Sequence, residues 1–81
     1  MSENIKKALL IKLMKRRCWG HKHTSYDNLP KGFPSHLAKD VKNIATELIK
    51  EGFLLNHPTN YGVEVSLNPR MKKEIEEIAF S

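Results

Sequence analysis

Residues 37–67 contain the pattern that most restricts the fold of this chain. Four apolar residues recur at a helical spacing, namely Leu37, Val41, Ile44 and Leu48. This spacing places their side chains on one face of a helix. Glu51 and Gly52 then end the helix, and Phe53 begins a run of apolar residues. The sequence therefore predicts an amphipathic helix that is followed directly by a strand.

A second strand is predicted after the first. Val63, Val65 and Leu67 alternate with polar residues, which is the period-2 pattern of a strand with one buried face. Residues 57–62 between the two strands read His-Pro-Thr-Asn-Tyr-Gly, and nearly every position favours a turn. We therefore predict a β-hairpin whose tip covers residues 57–62.

Two helices are predicted in the first part of the chain. The first has an apolar stripe that consists of Ile5, Leu9 and Leu13. Basic residues 15–17 end this helix and stabilise the negative end of its dipole, although the same residues could equally contact phosphates. The second is a short helix that begins with Thr24 or Ser25 as its cap and extends through Leu29.

Two further helices flank the predicted hairpin. Ser35 is predicted to cap the amphipathic helix, which then extends to Glu51. After the hairpin, Asn68 caps a last helix and Pro69 takes its first position, where the missing N–H has no consequence. The predicted order is helix, helix, helix, strand, strand, helix, in one α+β domain that covers residues 1–81.

Charge is distributed unevenly along the chain. The formal net charge is +5, but residues 1–50 hold eleven Lys or Arg against four Asp or Glu, a balance of +7. Residues 51–81 hold three against five, a balance of −2. A basic surface attracts polyanions, because binding releases their counterions. The charge therefore favours a nucleic-acid partner for the first two thirds of the chain.

Length and composition argue against several other classes of protein. A domain of 81 residues has little room for an enclosed catalytic pocket, and no catalytic or nucleotide-binding motif is present. No apolar run approaches the ~18 residues of a membrane span, and the first residues do not resemble a signal peptide. A single cysteine suits a reducing compartment. We expect a cytoplasmic protein that is not an enzyme, has no cofactor and does not associate with membranes.

Cys18, His21 and His23 have the one spacing that suggests a metal site. With His36 or His57 as a fourth ligand they could bind zinc. Structural zinc sites usually contain at least two cysteines, however, and this chain has one. We therefore predict no metal site and expect a loop whose charge depends on pH. Cys18 and His21 could also be written as a nucleophile and its base, but no pocket is evident.

The amphipathic helix and the hairpin together resemble a known family. A helix ending in Leu48-x-x-x-Gly52-Phe53 and followed by a hairpin is similar to the recognition helix and wing of winged helix-turn-helix proteins, in particular small archaeal and bacterial transcriptional regulators. The resemblance covers roughly residues 4–80. It implies double-stranded DNA binding and transcriptional regulation, with helix Ser35–Glu51 in the major groove and the 57–62 wing beside it.

The face of this helix opposite its apolar stripe is the predicted DNA contact. Asn43 could pair with an adenine edge, and Lys39 and Lys42 could reach guanine or phosphate. Asp40 either accepts from cytosine or faces away, and the acidic C-terminal half should point away from DNA. The wing tip lacks the Arg or Lys that the family usually carries. The full predicted contact set is Ser35, His36, Lys39, Asp40, Lys42, Asn43, Thr46, His57, Thr59, Asn60 and Tyr61.

Two questions about partners stay open at this point. Palindromic DNA sites usually require a dimer, and a homodimer through the terminal helices would use four positions, namely Leu10, Met14, Ile78 and Phe80. The alternative function is a protein–protein interaction module on a winged-helix scaffold within a larger complex. The uncharged wing favours that alternative, and the balance of +7 disfavours it. RNA binding would use the same basic face, but the aromatic side chains that stack on single strands are missing.

Overall fold

Three α-helices and a three-stranded antiparallel sheet make up the computed structural model, which describes residues 2–81. In chain order the elements are α1 (Ser2–Lys15), β1 (Thr24–Ser25), α2 (Ala38–Lys50), β2 (Leu54–Thr59), β3 (Gly62–Leu67) and α3 (Lys72–Ala79). Short 3-10 helices precede α2 and α3 and follow β1, at Ser35–Leu37, Pro69–Met71 and Tyr26–Asn28. The strand order is β1-β3-β2. No described helix is long and apolar enough to cross a membrane.

The predicted apolar face of α2 forms the centre of the core. Val41, Ile44 and Leu48 are buried, and Leu37 is partly buried beside them. The same cluster contains Leu9 and Leu13 of α1 as well as Val65 and Leu67 of β3. Burial of these side chains is the main driving force for folding a chain of this size. The predicted register of α2 is therefore confirmed.

The region predicted as a second, short helix begins with an unpredicted strand. Thr24 and Ser25 form an edge strand that pairs with Val65 and Glu64 of β3. Ser25 then caps as predicted, because its Oγ accepts from the backbone N–H of Asp27 at 3.2 Å. The helix that follows is a single 3-10 turn. The short helix predicted through Leu29 thus forms as a 3-10 turn over Tyr26–Asn28. The predicted order of elements lacked the edge strand β1, which depends on pairing with β3.

The start of the amphipathic helix also differs from its prediction. Pro34 takes the cap position, and Ser35 is already the first residue of the 3-10 turn. No side-chain hydrogen bond caps this turn, and Leu37 N–H donates to the Pro34 carbonyl at 2.9 Å. The α-helix begins only at Ala38, and no side chain caps it there. The prediction that Ser35 is the cap is therefore wrong.

The hairpin tip is shorter than predicted. Thr59 pairs with Gly62, so that only Asn60 and Tyr61 form the turn. His57 and Pro58 belong to β2, and a proline is tolerated there because β2 is an edge strand. In β3, Val65 and Leu67 are fully buried as predicted, whereas Val63 lies near the tip and is 40% exposed. The predicted alternation fails at Ser66, which is fully buried on the other face of the strand and donates from its Oγ to the Gly20 carbonyl at 2.9 Å.

Both α1 and α2 end in a Schellman motif. In α2, Gly52 N–H donates to the Ile49 carbonyl (3.1 Å) and Phe53 N–H to the Leu48 carbonyl (2.9 Å), and Gly52 has the required positive φ of 87°. The end of α2 at Gly52 is thus confirmed. In α1 the equivalent bonds run from Arg17 to Met14 (3.0 Å) and from Cys18 to Leu13 (3.1 Å). Arg17 has a φ of 55°.

The last helix begins as predicted. Asn68 Oδ1 accepts from Arg70 N–H at 3.0 Å, with Pro69 next in the chain.

Of the four positions predicted to form a dimer contact, Phe80 is 70% exposed. Met14 and Ile78 are partly buried against the core. Leu10 is fully buried, so its prediction as an exposed contact is wrong, because it faces the core of its own chain.

Candidate nucleic-acid interface

The outward face of α2 carries two of the predicted contacts without competing partners. Lys39 and Asn43 are one helical turn apart and both are exposed. Ser35 and His36, in the 3-10 turn just before α2, are exposed as well. The ion pairs formed among residues 2–81 do not include Lys39. These four side chains are thus available to a ligand at the N-terminal half of α2.

Lys42 and Thr46 lie on the flank of α2 that faces the 3-10 turn after β1. Lys42 Nζ is 3.1 Å from Asp27 Oδ1 and 5.7 Å from the centre of the Tyr26 ring. Tyr26 OH donates to the Lys42 carbonyl at 2.8 Å and lies 3.0 Å from Thr46 Oγ1. These contacts attach the 3-10 turn to α2. Lys42 and Thr46 are thus already engaged within the protein, unlike Lys39 and Asn43.

The opposite flank of α2 is acidic. Asp40 and Glu47 are two turns apart and therefore lie on the same side of the helix. Glu47 lines a shallow cleft with Glu3, Lys6 and Glu51. Lys6 neutralises part of this charge, since its Nζ is 3.7 Å from Glu51 Oε1. The negative charge on this side of α2 disfavours contact with phosphates.

Side-chain contacts show the direction in which α1 packs against α2. Lys6, early in α1, pairs with Glu51 after the end of α2. Lys12, late in α1, has its Nζ 5.8 Å from the centre of the Phe33 ring, just before the start of α2. The two helices are therefore antiparallel, and the basic C-terminal end of α1 lies beside the N-terminal end of α2.

Lys12 organises the loop that precedes α2. Its ammonium group donates to the main-chain carbonyls of Asn28 (3.3 Å), Leu29 (3.0 Å) and Lys31. Burial lowers the pKa of Lys12 below its usual value of 10.5, and the nearby charges of Arg16 and Lys31 lower it further. No local sequence pattern signals this arrangement, because the contacts join residues 16–19 positions apart.

The hairpin offers fewer free contacts than predicted. His57 belongs to a cluster on the face of the sheet away from the core: its Nε2 is 3.0 Å from Ser66 Oγ, and its ring centre is 4.8 Å from that of His23. His23 in turn contacts Glu64. Thr59 closes the turn, since its Oγ1 donates to the Gly62 carbonyl at 2.8 Å. Only two of the four predicted wing contacts remain free at the tip, namely Asn60 and Tyr61.

The three residues with metal-like spacing have different surroundings. Cys18 is buried, and its Sγ is 3.8 Å from the Arg16 carbonyl. His21 is exposed, whereas His23 contacts Glu64 of β3. Within residues 2–81, no group of three or more His, Cys, Asp or Glu side chains has a geometry that could hold a metal ion.

Comparison of the chain with protein families, with curated proteins and with solved structures finds no match.

Proposed function

We propose that this protein is a winged helix-turn-helix transcriptional regulator that binds double-stranded DNA through α2. The observation that carries the proposal is the outward face of α2, where Lys39 and Asn43 are exposed at the basic end of the molecule. The order of helices and strands, with the β2–β3 hairpin directly after α2, is compatible with this fold. An α-helix fits the major groove, and its N-terminal residues contact base edges.

Each part of this surface has a distinct role in the proposed complex. Asn43 pairs with an adenine edge, whereas Lys39 contacts guanine or a phosphate. Asn60 and Tyr61 at the hairpin tip contact the backbone through hydrogen bonds, because the tip has no cation. The acidic flank with Glu47 faces away from the duplex. The acidic side chain of Glu47 in the C-terminal half of α2 thus favours entry of the N-terminal half into the major groove.

A salt titration of binding to duplex DNA tests this proposal. Lys39→Ala should weaken binding to every duplex and flatten the slope of log affinity against log salt by ~0.9. Asn43→Ala should cost ~1–3 kcal/mol on a preferred site, selected from a random pool, and leave non-specific binding unchanged. Both measurements use fluorescence anisotropy with a labelled duplex.

Lys73→Ala is the matched control, since it removes the same charge from an exposed position on α3. It should change neither the slope nor the preference. Wild-type protein that shows no duplex binding at low salt in the usual non-specific range of ~10⁻⁴ to 10⁻⁶ M would exclude DNA binding.

One observation favours a second candidate, a protein–protein interaction module. Tyr61 is fully exposed and Val63 is 40% exposed, and Pro58 pairs with Val63 on the adjacent strand. The hairpin therefore presents apolar side chains without a nearby cation, as the centre of a protein interface would. Under this alternative, Tyr61→Ser leaves the protein folded and abolishes association with its partner, and the α2 variants have no effect.

A further inference from the structure

Three cations converge where the end of α1 meets the loop before α2. The ammonium group of Lys12 has three N–H donors and three carbonyl acceptors, those of Asn28, Leu29 and Lys31. Its hydrogen-bonding capacity is therefore used within the protein. Arg16 lies one helical turn after Lys12, with its backbone N–H donating to the Lys12 carbonyl at 3.1 Å, and Lys31 is joined to Lys12 through its own carbonyl. The charges of Arg16 and Lys31 both lower the pKa of Lys12.

Arg16 and Lys31 themselves remain available to a ligand. Both side chains are exposed. The ion pairs within residues 2–81 involve only Lys6, His23 and Lys42 as the cations. Neither Arg16 nor Lys31 thus has a carboxylate partner in the described part of the chain. Two exposed cations next to a third, with no neutralising anion, are a favourable environment for a phosphate.

The position of this cluster relative to α2 indicates which phosphate it binds. Lys31 precedes the first residue of the 3-10 turn, Ser35, by four positions, and Lys12 holds the Lys31 carbonyl. Because α1 and α2 are antiparallel, Arg16 lies at the same end of the molecule as the N-terminus of α2. A duplex whose major groove receives that N-terminus brings a backbone strand to this end.

We propose that Arg16 and Lys31 bind the sugar-phosphate backbone of the duplex that α2 reads, and that Lys12 positions Lys31 by holding its loop. This inference rests on the proposed function and adds a second contact that is independent of both α2 and the hairpin. Backbone contacts of this kind orient a protein on the duplex and carry no sequence information. They determine how steeply affinity falls with salt.

The test compares the double variant Arg16→Ala/Lys31→Ala with Lys72→Ala/Lys73→Ala, which removes two exposed charges from α3. Affinity for a random duplex is measured by fluorescence anisotropy between about 50 and 200 mM salt. Loss of two phosphate contacts should flatten the slope by about 1.8, so that wild type loses about 12-fold more affinity over this range than the Arg16/Lys31 variant does. The α3 variant should retain the wild-type slope.

Lys12 is tested separately as a positioning residue. Lys12 has no donor left for a phosphate, so its own contact cannot contribute to the slope. Lys12→Met should nevertheless flatten the slope by about 0.9, because Lys31 loses its position and with it one phosphate contact. Lys12→Arg should restore the slope, because a guanidinium group can donate to the same carbonyls. A Lys12→Met variant that fails to fold leaves the Arg16/Lys31 comparison decisive.

The possible failures are distinguishable. Wild-type protein without duplex binding would overturn both the proposed function and this inference. If wild-type protein binds duplexes and the Arg16/Lys31 variant keeps the wild-type slope, this inference is overturned and the function of α2 still stands. If the slope flattens equally in both double variants, the salt dependence reflects general charge attraction, and this inference is overturned as well.

Discussion

The C-terminal ends of α1 and α2 have the same hydrogen bonds and a different residue at the left-handed position. In α2 that residue is Gly52, which has no Cβ to strain. In α1 it is Arg17, and a residue with a side chain is disfavoured in this conformation by roughly 1–2 kcal/mol. The residue two positions beyond each helix cap, Cys18 or Phe53, donates to a leucine carbonyl in both motifs.

The difference predicts that Arg17 costs stability that Gly52 does not. A glycine at position 17 would make the same hydrogen bonds without strain. Arginine instead adds a cation to the basic run that includes Arg16, at the end of the molecule where the backbone contact is proposed. Backbone strain of this kind is often found at functional sites. Three experiments test this difference between the two helix ends.

Truncation of the leucine at the same position in each motif should have the largest effect. Leu13 and Leu48 supply the acceptor carbonyls and are both fully buried. Leu13→Ala and Leu48→Ala should each lower the free energy of unfolding by ~2–5 kcal/mol, because a small core cannot close the cavity. Urea denaturation measures this loss, with exposed Lys50→Ala as a control that should stay within ~0.5 kcal/mol. A loss below that limit at either leucine would show that the two helix ends are not equally anchored.

Exchange of the left-handed residues should have opposite effects at the two ends. Gly52→Ala should lower the free energy of unfolding by about 1–2 kcal/mol. The cause is backbone strain only, since a Cβ at this position meets no atom within 4 Å. Arg17→Gly should raise the free energy of unfolding by up to about 1 kcal/mol, because it removes the strain and keeps the hydrogen bonds.

Urea denaturation measures both exchanges, with Arg17→Lys as the matched control that keeps both charge and strain. Arg17→Lys should change the free energy of unfolding little. If Arg17→Gly were destabilising, the arginine side chain would contribute more to the fold than its strained backbone costs, and the functional explanation of Arg17 would fail.

The pH dependence of the α1 end should be the smallest effect. Burial, together with Arg16 and Lys31, lowers the pKa of Lys12 below 10.5. Between that lowered pKa and 10.5 the unfolded chain binds more protons than the folded one, so stability attributable to Lys12 rises with pH in this window. Below it, the penalty for keeping Lys12 charged is fully present.

An NMR titration of the Lys12 side chain measures this pKa directly. Arg16→Ala removes one of the two repelling charges and should raise the pKa of Lys12 toward 10.5. No change in that variant would place Arg16 too far from Lys12 to repel it, and the basic cluster would lose one member. Lys50→Ala, near the other helix end, is the control and should leave the Lys12 pKa unaltered.

Local sequence patterns determined the parts of the fold that depend on neighbouring residues. The apolar periodicity of Val41, Ile44 and Leu48 set which face of α2 is buried. Gly52 marked the end of α2, because glycine readily adopts a positive φ, and Asn68 marked the start of the last helical segment through its side-chain cap. The exposed face with Lys39 and Asn43 followed from the same periodicity. Each of these features acts within about one or two helical turns, so a linear pattern reveals it.

Features that join distant segments of the chain depend on long-range packing. Strand β1 exists because Thr24 pairs with Val65, and His57 is removed from the wing contacts by its place beside Ser66 and His23. Lys42 is engaged by Asp27, 15 residues away, and Lys12 by carbonyls 16–19 residues away. A two-residue strand has no detectable period, and a lysine in a basic run looks the same whether it is solvated or bound to a loop. Long-range packing therefore determined which of the predicted contacts are free to meet a ligand.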